Sequence, residues 1–244
     1  MNRIFTPKLL PLLPLGAGIL GLILRTVLYA TGIDAKGLLA AGHPLQAVLW
    51  ILTALVIGGV FLCTRAVPTP KKYFDRFPPS PLAAFGSLAA GVGILLTEVL
   101  EVSAQADTLG IVCLVLGIGS ALSLGMVAHS RIKNLRPSFF FHLVVTVYLM
   151  LHPLSQYRIW CADPQLFDYC FHLLASVFLM LAAYQRTTLD AGLGNCRQYA
   201  FFSQCALFFC CMSINGDSWL FYLTMALWTA TGLCATQPPQ EDLQ

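Results

Sequence analysis

TLGIVCLVLGIGSALSLGMVAHSRIKNLRP, residues 108–137, decides the fold class. From Leu109 to Ala128 the stretch holds no Asp, Glu, Lys or Arg. At about 1.5 Å rise per residue, an apolar helix of that length matches the roughly 30 Å of a bilayer's hydrocarbon core. Arg131, Lys133 and Arg136 follow at once, and Pro137 then opens another apolar run. An apolar run closed by clustered cations is how a membrane helix meets the cytoplasmic face, because Lys and Arg are retained on that side during insertion.

The same pattern repeats in both directions along the chain. Apolar spans are expected at about 9–30, 44–64, 81–101, 108–128, 137–152, 164–184, 197–214 and 217–235. Pro11, Pro14, Pro44 and Pro81 sit in first turns, where helices tolerate proline best. Ser80 and Asp107 are placed to cap the third and fourth spans. Pro153 is expected to stop the fifth. Arg186 and Arg197 bracket the loop after the sixth, and Asn215-Gly216-Asp217 turns the hairpin between the last two. All but three of the 14 Lys and Arg residues fall at one end of these spans. The exceptions are Lys36, Arg158 and the intraspan Arg25. The reading is an all-α, polytopic transmembrane bundle of eight spans, residues 1–244 as one integral membrane domain, with both termini cytoplasmic. Arg3 and Lys8 ahead of an apolar run resemble the start of a signal peptide. The run is too long for one, so it reads as an uncleaved first span. The compactness suggests a cell membrane, specifically a bacterial plasma membrane.

Composition agrees. Charged residues make up 10% of the chain and hydrophobic ones 57%, against about 25% charged in ordinary soluble domains. The net charge of +3 is segregated by topology, which argues for a lipid bilayer as partner and against nucleic acid. Lys71, Lys72 and Arg76, interleaved with Tyr73, Phe74 and Phe77, suit anionic headgroups at the inner surface or a cytoplasmic partner. Trp160 and Trp219 fall where an outer aromatic belt belongs. Small residues four apart, Ala17 with Gly21, Ala89 with Gly93, and Gly117 with Ala121 and Gly125, predict close helix contacts and place spans one, three and four near the bundle centre. By this reading Gly125→Leu costs folded yield.

No phosphate-binding loop, zinc-protease motif, paired-cysteine motif or nucleophile elbow is present, so no metal, no cofactor and no catalytic residue is assigned. Cysteines in or beside spans read as small apolar residues. Cys161 and Cys170 are expected about 10 Å apart along the chain axis, beyond the roughly 7 Å a disulfide bridges.

The polar residues inside the spans say more. Residue counts from the cytoplasmic ends put Arg25, Glu98, Glu101, His152, Asp168 and His172 at one depth, in the outer part of the bilayer. Glu98 and Glu101 share a face at i,i+3, and Asp168 and His172 at i,i+4. Buried ionisable groups in a membrane mark functional sites by default. Arg25 and His172 suit an anionic group, and the acids suit cations or protons, so the ligand class is a small molecule or ion. Arg25 is expected to pair with Glu98. His142, one turn in from the other end of span five, reads as an interface or packing residue. The leading function is a transporter, or a membrane-embedded substrate-binding subunit. A non-transporting sensor or assembly subunit comes next, and an intramembrane enzyme acting on lipid or peptide third.

Overall fold

A computed structural model describes residues 10–32, 43–65, 77, 80–104, 107–161, 169–216 and 218–236. Among these residues there are eight helices and no strand: α1 (Leu12–Gly32), α2 (Pro44–Arg65), α3 (Pro81–Ala104), α4 (Thr108–Ile132), α5 (Phe139–Trp160), α6 (Cys170–Ala191), α7 (Cys196–Met212) and α8 (Trp219–Cys234). Five of them, α1 to α5, are long and apolar enough to cross a membrane. Large side chains such as Leu55, Leu62, Val115, Leu122 and Ile132 are mostly exposed on the outer faces. An apolar surface of that extent needs lipid around it, and the chain is a helical bundle of multi-pass membrane character.

The helix ends follow local chemistry. Asp107 accepts a hydrogen bond from the Gly110 amide at 2.6 Å, capping α4 as its position predicts. Gly192 ends α6 in the left-handed conformation at φ 88°, where a side chain would be strained. Two boundaries differ from expectation. Pro153 does not stop the fifth helix; α5 runs through it to Trp160. Proline frees the carbonyl four residues back, and membrane bundles tolerate this where neighbours pack around it. The sixth helix does not end near Tyr184 but continues to Ala191. Its last turns keep Arg186 and Asp190 buried on one face, i,i+4 apart, with nitrogen and oxygen 3.5 Å from each other.

Helices α3 to α8 form a closed ring. Each packs on the next, and α8 packs back on α3. The interior is filled by Ile94, Leu124, Tyr148, Leu179, Phe208, Tyr222 and Met225 in one continuous core. Helices α1 and α2 lie outside the ring, packed on each other and on α7. This makes α7 the most enclosed helix. Every residue from Ser203 to Met212 is buried, the polar Ser203 and Gln204 included.

The small residues divide accordingly. A side chain at Gly93 would collide with Thr224 of α8, and one at Gly18 with Cys211 of α7. Gly125 has nothing within 4 Å of its missing Cβ. The Gly125 contact and the central placement of the first span are therefore corrected: α1 uses its small residues to lie on the ring from outside.

A buried polar site at one end of the ring

The α3 segment Ile94–Glu101 carries Glu98 and Glu101 one turn apart, and α5 carries Tyr148, His152 and Gln156 at i,i+4 spacing. Because α3 and α5 flank α4, these two rows face each other across it. Glu98 is buried and accepts hydrogen bonds from the Tyr148 hydroxyl at 2.7 Å and from His152 Nδ1 at 3.2 Å. Gly117 of α4 makes room for the carboxylate stem; a Cβ there would come within 2.9 Å of Glu98 Cγ. The His152 ring lies 4.4 Å from that of Phe221 on α8. Glu101 is half-buried one turn outward and accepts from Ser218 Oγ at 3.4 Å. Ligand-capable atoms of Glu98, Glu101 and His152 all lie within 4.8 Å of one another. Two carboxylates and an imidazole at that spacing can share a proton or hold a metal ion.

Arg25 and His172 form a second group on the other side of α8. Arg25 is buried and its Nη1 donates to the Met212 carbonyl at 2.8 Å. That carbonyl closes α7, where helix carbonyls lack internal partners and the dipole favours a cation. The Arg25 Nη2 also contacts the Tyr29 hydroxyl at 3.1 Å and His172 Nδ1 at 3.3 Å. The His172 ring sits 5.2 Å from Tyr222 and 5.9 Å from Trp160. Trp160 is stacked on Tyr169 and buried, not standing in an aromatic belt, whereas Trp219 is exposed.

The expected Arg25–Glu98 pair is not formed. Arg25 comes from outside the ring and reaches the seam of α6 and α7. Glu98 belongs to α3, across the interior. Phe221 and Tyr222 of α8 stand between the two groups, their rings 4.4 Å from His152 and 5.2 Å from His172 respectively. Glu98, Glu101 and His152 come together, Arg25 and His172 come together, and Asp168 lies outside the described residues.

A second polar cluster occupies the opposite end, where sequence reading placed loop cations. Asp190 of α6 meets His142 Nδ1 of α5 at 2.5 Å and Arg186 Nη2 at 3.5 Å. Arg136 Nε donates to the Asp190 carbonyl at 3.1 Å. The Arg186 guanidinium lies 3.5 Å from the centre of the Phe77 ring, and that of Arg131 5.2 Å from it. Beside them is a cavity of about 20 Å³ lined by Ser87, Arg131, His142, Arg186 and Tyr199, among others. That volume holds about one water. His142 does pack, as expected, but it also pairs. Its missed partner was Asp190, whose signal was the Arg186–Asp190 i,i+4 spacing continuing the helical face of α6. The loop cations Lys71, Lys72 and Arg76 lie outside the described residues.

Comparison of the chain with protein-family models, curated proteins and solved structures finds no match.

Proposed function

We propose that the protein is a multi-pass membrane transporter, or the membrane-embedded substrate-binding subunit of one, whose site is the outer polar group of the ring. One observation carries this reading. Glu98 and His152 are almost fully buried, at 1% exposure each, inside a ring of largely apolar helices. Placing ionisable groups there costs stability, and a chain that keeps them has a use for their charge. All eight helices cross in this reading. Helices α7 and α8, with 17 and 16 residues, reach about 25 Å by helical rise. Enclosure of α7 by α1, α2 and the ring relieves it of matching the lipid thickness by itself. Arg65, Arg131, Lys133, Arg136, Arg186 and Arg197 cluster at one end, which the charge rule assigns to the cytoplasm. The Glu98 group then belongs to the outer half, and the Asp190 cluster forms an inner plug.

The test is flux into proteoliposomes holding the purified protein, read with trapped dyes for protons and for Mn²⁺. The expected result is flux of at least one cation, abolished by Glu98→Gln. Flux equal to protein-free vesicles with both probes refutes transport. The filled ring interior favours a second reading, a sensor or assembly subunit that binds at this site without passage. Site occupancy without flux would select it.

A further inference from the structure

We infer that Glu98, Glu101 and His152 form a binding site for a divalent first-row metal ion, of the zinc or manganese kind. The inference rests on the polar site proposed above and names its ligand class.

The donor set comes first. Two carboxylates and one imidazole suit Zn²⁺, Mn²⁺ or Fe²⁺, whereas Mg²⁺ and Ca²⁺ prefer all-oxygen shells. Spacing comes second. Zinc with bonds of about 2.0–2.1 Å in a tetrahedral site holds its ligand atoms roughly 3.3 Å apart. Glu98 Oε1 and His152 Nδ1 are 3.2 Å apart, and the Glu101 carboxylate completes a triad within 4.8 Å. The imidazole is held in place. His152 is almost fully buried, with its ring 5.5 Å from Tyr148 and 4.4 Å from Phe221, so Nδ1 stays turned to the Glu98 carboxylate.

Outer contacts fit the same use. Tyr148 donates to Glu98 and Ser218 to Glu101. Such donors hold carboxylate ligands in orientation. Charge points the same way. Among the described residues Glu98 has one ion-pair partner, His152, and Glu101 has none. A divalent ion would balance both carboxylates in a region of low dielectric. The site sits at the rim of the ring, with Glu98 beneath and Glu101 half-exposed above it, so an ion would enter past Glu101.

The experiment uses the full chain in detergent, stripped with chelator and dialysed against Zn²⁺ or Mn²⁺. Elemental analysis gives stoichiometry, and X-ray absorption at the metal edge gives the donor atoms. The expected result is one ion per chain, a nitrogen and oxygen shell with one imidazole, and affinity weaker by on the order of tenfold or more in Glu101→Gln. Glu101→Gln can still accept from Ser218, and its elution profile reports folding. Wild-type protein that retains less than a tenth of an equivalent of either metal overturns the site without reference to any variant. A sulfur shell also overturns it, by assigning the ion to the cysteines. Metal bound with these donors but without flux supports the site and refutes only transport. Proton flux without metal binding does the reverse.

Discussion

Asp190→Asn is the sharpest test of how the ring is held shut at the Arg-rich end. The Asp190 side chain is fully buried, meets His142 at 2.5 Å, and meets Arg186 at 3.5 Å. The amide keeps the shape and one hydrogen bond but removes the charge that faces Arg186. Breaking a buried pair by removing one partner costs about 3–5 kcal/mol. The low end applies here, because the Arg186–Asp190 contact is long and the guanidinium also rests on Phe77. For chains of 150–250 residues each kcal/mol moves the melting midpoint by about 2–4 °C. A cost of about 3 kcal/mol therefore predicts a midpoint lower by about 6–12 °C, measured by intrinsic fluorescence in one detergent at one scan rate. Arg186→Met with Asp190→Leu removes both charges and should recover much of the loss. A single variant that melts within 2 °C of wild type would mean the cluster is solvated and does not close the ring.

Two further variants probe the packing. Gly93→Leu should reduce folded yield severely, because the new side chain meets Thr224 across the α3–α8 contact; Gly125→Leu should leave yield and melting unchanged, and equal effects would contradict the ring order. Arg25→Met should lower the melting midpoint by roughly 3–12 °C, since the Met212 carbonyl loses a charge-assisted hydrogen bond of about 1.5–3 kcal/mol. Arg25→Lys should recover part of that shift, and no shift in either would mean that Arg25 does not hold α1 to the ring.

Residue counting brought Glu98 together with His152 correctly and with Arg25 wrongly. Counting residues from the cation-rich ends placed Glu98 and His152 at one level, and they do meet. The same count placed Arg25 at that level too, but nothing in its span said that α1 lies outside a ring closed by α8 and α3. Pairing Arg25 with Glu98 used the one coordinate that a residue count supplies. The inner cluster escaped for a different reason. Arg186 and Asp190 look like loop residues by composition, and only their shared face with buried Ala182 and Ala183 marks them as helix. Pro153 misled because the rule that proline breaks a helix weighs only its lost hydrogen bond and its clash with the carbonyl four residues back. In a packed bundle the helix passes through.

The central claim is that the ring crosses the membrane and presents its two polar clusters to opposite sides. Helix α7 tests it most directly, since it is short and joins the two ends. Leu193, before α7, is 89% exposed at the Arg-rich end, and Asn215, after α7, is exposed near Arg25. With the native cysteines replaced, single cysteines at these positions would be treated with a membrane-impermeant maleimide on intact cells. The account predicts labelling of Asn215→Cys on intact cells and of Leu193→Cys only after permeabilisation. Labelling of both from the same side would contradict it.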